Sequence, residues 1–254
     1  MFDASLWSAN PGKLALEPDE IHVWRAYLEF DPASLRAFET TLAPDEKARA
    51  DRFHFPRDRN AFIATRGILR ELLGKYTGPA PSELVFDYGE RGKPSLRGAP
   101  SQPIQFNVSC SQGLALLAFA MGRSVGIDVE LIRPSFAGVE IAERYFAPQE
   151  IEELRALPPS LLAEGFFHCW ARKEAYVKAR GEGLQIPLRS FRVSLTPGQP
   201  ERLESVDSAR WSLHSITPDA NYVGALVVEG KEPLIRYWNW NSMNSATEKQ
   251  NEQW

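Results

Sequence analysis

Val125 to Leu131 reads V-G-I-D-V-E-L, an alternation of apolar residues with small or acidic ones. In a strand, that pattern puts Val125, Ile127, Val129 and Leu131 on one face and Gly126, Asp128 and Glu130 on the other. Asp128 and Glu130 then point the same way, roughly 7 Å apart along the strand. Unpaired like charges so placed repel, and a hard divalent cation with oxygen ligands relieves them. A solvent-facing acidic strand edge has the same pattern, so the pair alone leaves both readings open. Gly126, on the acidic face, leaves room for the backbone of another element.

A carboxylate and an ammonium occur together in Phe166 to Leu184, F-F-H-C-W-A-R-K-E-A-Y-V-K-A-R-G-E-G-L. Phe166, Trp170, Lys173 and Val177 share one helical face. Glu174 and Lys178 sit one turn apart beside that stripe, about 6 Å along the axis. Gly181 and Gly183 supply the left-handed positions that stop a helix. An ordinary solvated i,i+4 pair has this spacing too. If Glu174 joins Asp128 and Glu130, three carboxylates without His or Cys favour Mg²⁺ over zinc. Magnesium held by a few carboxylates serves phosphate chemistry, with substrate oxygens completing its shell. Arg66, Lys93 and Lys178 then offer positive charge to phosphate. Arg66 belongs to a dense basic stretch, Lys47 to Arg70, whose simpler reading is a solvated helix surface.

Together these stretches resemble the Sfp-type 4′-phosphopantetheinyl transferases. The resemblance is carried by G-I-D-V-E at Gly126–Glu130 and W-A-R-K-E-A-Y-V-K-A-R-G-E-G-L at Trp170–Leu184. R-G-K-P at Arg91–Pro94, F-N-V-S-C-S at Phe106–Ser111 and the stretch Phe53–Arg70 agree with it in order and spacing. It implies transfer of phosphopantetheine from coenzyme A to a serine of an apo acyl or peptidyl carrier protein, with release of adenosine 3′,5′-bisphosphate. Asp128, Glu130 and Glu174 are the implied Mg²⁺ ligands, Glu174 also the base for the serine, and Lys178 the stabiliser of phosphate charge. Arg49, Arg66, Lys93, Ser109 and Cys110 fall on positions that hold coenzyme A. At Cys110 the chain departs from the family, which usually has His. A thiol donates weakly and carries no positive charge, which implies weaker coenzyme A binding. A catalytically silent protein of the same fold, binding coenzyme A or the carrier, is the rival reading.

The elements that must position these residues follow from periodicity. Ile21–Leu28, Leu84–Tyr88, Ile104–Ser109, Leu114–Met121 and Val125–Leu131 read as strands. Ser34–Leu42, Pro44–Phe53 and Asp58–Tyr76 read as helices. The same order returns with helices at Val139–Tyr145, Pro148–Leu157 and Ser160–Arg180. Strands near Phe191–Leu195, Trp211–Ile216 and Tyr222–Val228 complete it. The expected fold class is α+β: two similar halves related by a pseudo-twofold axis, with a ligand cleft between them, as the resemblance also implies. The halves are placed at 1–122 and 123–236, followed by a polar, disordered tail at 237–254.

Composition narrows the partners. A 254-residue chain, 43% hydrophobic and 24% charged, has the make-up of a soluble globular protein with one or two cores. Its net charge of −4 argues against nucleic acid as a partner. Two cysteines, Cys110 and Cys169, make no disulfide framework, and the N-terminus lacks the pattern of a signal peptide, so a cytoplasmic protein is expected. The longest apolar run, Leu114 to Met121, is far short of the ~20 residues that span a bilayer, which argues against a membrane protein. A chain that builds its cleft from its own two halves is expected to be a monomer. Gly122-Arg123-Ser124-Val125-Gly126 matches a hydrolase nucleophile elbow, but a period-two strand follows it where a helix is required.

Overall fold

A computed structural model describes residues 3–240 apart from 13, 90–91, 99–102 and 136–137. Arg91 of R-G-K-P therefore lies outside the described residues, as does the expected tail from 241 onward. The first half runs through β1 (Glu20–Tyr27), α1 (Pro32–Thr41), α2 (Pro44–Ala50) and α3 (Pro56–Thr77). It continues with β2 (Phe86–Tyr88), β3 (Pro94–Leu96), β4 (Ile104–Ser111) and β5 (Leu114–Met121). The second half holds β6 (Val125–Leu131), α4 (Val139–Tyr145), α5 (Pro148–Ala156) and α6 (Leu162–Arg180). Then come β7 (Arg192–Val193), β8 (Leu203–Glu204), β9 (Trp211–Ile216), β10 (Tyr222–Glu229) and β11 (Leu234–Asn239). The architecture is mixed α+β.

One sheet has the order β11-β1-β5-β4 and another β6-β10-β9. In each half the first strand lies antiparallel to the last strand before the turn, which pairs with its predecessor. A local signature also recurs. Ala43-Pro44-Asp45-Glu46 opens α2 and Ala147-Pro148-Gln149-Glu150 opens α5. Proline suits the first helical position, where no amide partner is needed. Each glutamate turns back to accept the amide of its alanine, at 2.9 Å for Glu46 and 2.8 Å for Glu150. Both glutamates are buried and meet a cation from the long helix of their half, Arg70 at 2.7 Å and Lys173 at 2.8 Å.

Leu114 to Met121 is apolar on both faces because both are covered. Leu114, Leu116 and Ala118 meet Ile127, Val129, Leu226 and Val228 of the other sheet. Ala115, Leu117 and Phe119 pack beneath α3 with Ile68, Leu69 and Leu72. On the far side α6 buries Phe166, Phe167, Tyr176 and Val177 against Val223, Ala225 and Val227. No helix among the described residues is long and apolar enough to cross a membrane.

Two expectations need correction. Residues 237–240 are no tail: Leu234–Asn239 pairs parallel with β1 from the second half of the chain, and Trp240 is buried against Phe30 and Phe38. Tyr237 and Trp238 pack on Trp7 and Trp24, and this aromatic burial seats the segment despite the polar Asn239 that follows. A boundary ending the second half at 236 therefore cuts through a strand of the first half's sheet. The N-terminal stretch joins this sheet edge: Ser8 exchanges backbone hydrogen bonds with Tyr237 and Asn239 over a buried Trp7.

Candidate active site

The site is made where α6 crosses β6. A Cβ built on Gly126 would lie 2.1 Å from the Ala175 carbonyl and 2.2 Å from the Ala179 amide, so the two backbones touch. Only glycine permits that approach. The space left open beside Gly126 is thus taken by α6 itself. The crossing carries Lys178 onto the acidic face of β6. Its Nζ donates to Asp128 Oδ1 at 2.6 Å, Ser109 Oγ at 3.0 Å and the Ile127 carbonyl at 3.3 Å.

From the other side, β4 lays its alternate side chains along the edge of β6 that β10 leaves free. Asn107 Oδ1 accepts the Ile127 amide at 2.9 Å, and Ser111 Oγ accepts the Leu131 amide at 3.3 Å. Ser109 Oγ donates to Asp128 Oδ1 at 2.7 Å, and Ser111 Oγ donates to Glu130 Oε2 at 3.0 Å. Side chains therefore do for this edge what a neighbouring strand does elsewhere. Asn107 and Ser111 were missed as site residues, although their signal is visible: they share with Ser109 the period-two face of F-N-V-S-C-S.

Asp128 is 4% exposed, and among the described residues its Oδ2 has no hydrogen-bond partner. Burial, then the charge of Asp128, pushes the Glu130 carboxyl up to about 7. The same two causes raise Glu174, with Lys178 opposing them. An orphaned carboxylate oxygen beside two carboxyls reluctant to ionise is chemistry that a divalent cation would relieve. The set is not gathered as a finished cage, however. Among the described residues no three His, Cys, Asp or Glu side chains converge closely enough to hold a metal, and the Lys178 ammonium sits on Asp128.

Two adjoining cavities open here. One, about 410 Å³, is lined by Glu174, Lys178 and Gly181 on one wall and by Arg49, Arg66, Lys93 and Asn107 on the other. The second, about 430 Å³, is lined by Arg49, Arg57, Phe62, Thr65, Arg66 and Cys110. Arg49 and Arg66 belong to both, and Arg49 lies over the Phe62 ring at 5.3 Å. Arg66 is held by Glu46 at 2.7 Å and by the Tyr88 hydroxyl at 2.9 Å. Glu46 also serves Arg70, so the trio leaves one net positive charge at the wall. Cys110 is exposed and points from the opposite face of β4 to Ser109, into the second cavity only. Lys93 lines the first cavity, yet its ammonium donates to the carbonyls of Lys178 (2.8 Å), Val125 (3.2 Å) and Ala179 (3.2 Å).

Lys173, placed by periodicity on an apolar stripe, is wholly buried as an ion. Its Nζ lies 2.8 Å from Glu150 Oε2 and donates to the carbonyls of Leu188 and Phe191. It anchors the turn next to Glu174.

Residues 30–121 match a family model described as 4′-phosphopantetheinyl transferase, N-terminal, and residues 124–227 match the 4′-phosphopantetheinyl transferase superfamily model. The 4′-phosphopantetheinyl transferase HetI of Nostoc sp. is 42% identical over 236 residues, 92% of this chain and 98% of that protein. The 4′-phosphopantetheinyl transferase Sfp of Bacillus subtilis is 29% identical over 171 residues, 67% of this chain and 74% of that protein.

Proposed function

The chain belongs to the 4′-phosphopantetheinyl transferase superfamily, and on that premise we propose that it moves the phosphopantetheine group of coenzyme A onto a serine of an apo acyl or peptidyl carrier protein. The observation that carries this reading is the crossing at Gly126, which sets Lys178 against Asp128 and Ser109 and opens the Glu174 cavity onto the arginines of the first half. The serine oxygen bonds to the phosphorus that bears pantetheine, the bridging P–O bond breaks, and adenosine 3′,5′-bisphosphate leaves.

Such a transfer depends on positioning and on charge already in place. Glu174, half-buried and raised in pKa, suits a base that takes the serine proton near neutral pH. Lys178 offers its ammonium to the phosphate oxygens. Arg49 and Arg66 face the nucleotide phosphates, with Ser109 and Cys110 on the two faces of the strand between the cavities. Asp128, Glu130 and Glu174 are the residues that would hold Mg²⁺, which when bound neutralises pyrophosphate charge.

The matched strand orders and the recurring Ala-Pro-x-Glu helix starts support two similar halves about a pseudo-twofold axis, with coenzyme A in the cleft between them. A cavity walled by both halves of one chain supports a monomer. Two unpaired cysteines support a cytoplasmic protein.

Intact-mass measurement of an apo carrier protein incubated with this protein, coenzyme A and Mg²⁺ tests the reading. The carrier should gain one phosphopantetheinyl group, and the gain should vanish with EDTA or with Glu174→Gln. Coenzyme A bound without any mass gain on carriers of several types would instead point to a silent binder, the reading that Cys110 favours.

A further inference from the structure

We propose that Lys93 is a positioning residue: its ammonium, seated on three backbone carbonyls, clamps the end of α6 to the start of β6 and so fixes where Lys178 stands against Asp128. Lys93 reaches over from the first half, directly before β3. An ammonium has three donors, and here the carbonyls of Lys178, Ala179 and Val125 take them.

Two of these acceptors are helix-end carbonyls. Helix α6 stops at Gly181 in the left-handed conformation (φ 72°), whose amide returns to the Val177 carbonyl. The carbonyls of Lys178 and Ala179 therefore have no amide of their own helix to accept, and they lie at the negative end of its dipole. The third acceptor, Val125, opens β6 three residues before Asp128. Between helix and strand the contact is made by Gly126, Ala175 and Ala179. Small residues bring the backbones together but interlock little, so they fix the separation better than the position along the axis. Lys93 supplies what they lack, a fastening common to both elements.

Its environment agrees with that role. No carboxylate pairs with Lys93 among the described residues, and burial pushes its ammonium down to about 8. Among the described residues, only carbonyls hold this partly buried cation. As a phosphate ligand, the role implied by resemblance, Lys93 would have to leave all three.

The inference rests on the transferase reading for the reaction it serves, and two variants separate the possibilities. Lys93→Met removes the donors; Lys93→Arg keeps the charge but offers a planar fork that does not fit three converging carbonyls. With both, kcat should fall roughly 10–100-fold, as expected when catalytic groups are misplaced by about an ångström. The KM for coenzyme A and the Kd for adenosine 3′,5′-bisphosphate should stay within about threefold of wild type. Amide exchange at Gly181 should quicken in both. Wild-type kcat in Lys93→Arg, or a Kd weakened about tenfold with kcat kept in Lys93→Met, overturns the clamp. If Lys93→Met does not fold, Lys93→Arg alone decides. A wild-type protein that modifies no carrier overturns the transferase reading instead, and amide exchange still tests the clamp.

Discussion

Lys178 Nζ lies 2.6 Å from Asp128 Oδ1, joining the last turn of α6 to the middle of β6. The pair is partly solvated on the lysine side and closed on the aspartate side, with side chains 28% and 5% exposed. It links the two motifs that hold the acidic residues. It also gives Asp128 one cationic partner, while its second oxygen has none among the described residues.

Gly126 is the residue whose replacement should disturb that link most directly. In Gly126→Ala the new methyl meets backbone on α6, which has no rotamer through which to yield. We expect a loss of about 3 kcal/mol in denaturant unfolding and a larger proportional loss of turnover, since helix and strand must part. Unchanged unfolding midpoints would mean that the crossing is looser than described.

The acidic set makes stability depend on pH. In the metal-free protein Glu130 titrates at about 7, against 4.5 for an unperturbed glutamate. The unfolded chain releases this proton first, so stability should fall as pH rises from about 4.5 to about 7 and then level off. Glu130→Gln should flatten that slope. Mg²⁺ should raise the unfolding temperature more at pH 8 than at pH 5, by the equivalent of about 2.7 kcal/mol at a hundredfold excess over its Kd.

The buried Lys173–Glu150 pair sets the base beneath Glu174. Lys173→Met leaves Glu150 charged and enclosed, and should cost about 3–5 kcal/mol. Lys173→Met with Glu150→Gln should recover part of it, because the amide oxygen still accepts from one of the two backbone amides that Glu150 serves, Ala147 or Val193, without a charge to bury. Equal losses in the single and double variants would show that the ion pair is not the source of the cost.

Cys110 opens on the cavity with Arg49 and Arg66. Cys110→His places a stronger donor there, and coenzyme A affinity measured by calorimetry should tighten roughly tenfold, the equivalent of about 1.4 kcal/mol. No gain would mean that the thiol face is not used by the ligand.

Much of this chain was legible one element at a time. Alternation in V-G-I-D-V-E-L placed Asp128 and Glu130 on one face, and β5, β6 and α4 start and stop where their patterns do. Gly181 ended α6 because only a left-handed residue closes that turn. These features depend on backbone preferences and side-chain periods within a few residues, which the order of residue types determines. Partner choice does not. Nothing local says that Lys178 meets Asp128, that Lys93 is spent on carbonyls, or that Asn107 and Ser111 serve the edge of β6. The Ala-Pro-x-Glu repeat lay in plain view, but its meaning came only with the cations that meet Glu46 and Glu150. The strand at Leu234–Asn239, read in part as tail, forms because β1 offers it a free edge and Trp7 and Trp24 an aromatic bed. Such contacts join residues far apart in the chain, and their energy comes from burial and from satisfied donors that exist only once the sheets have closed.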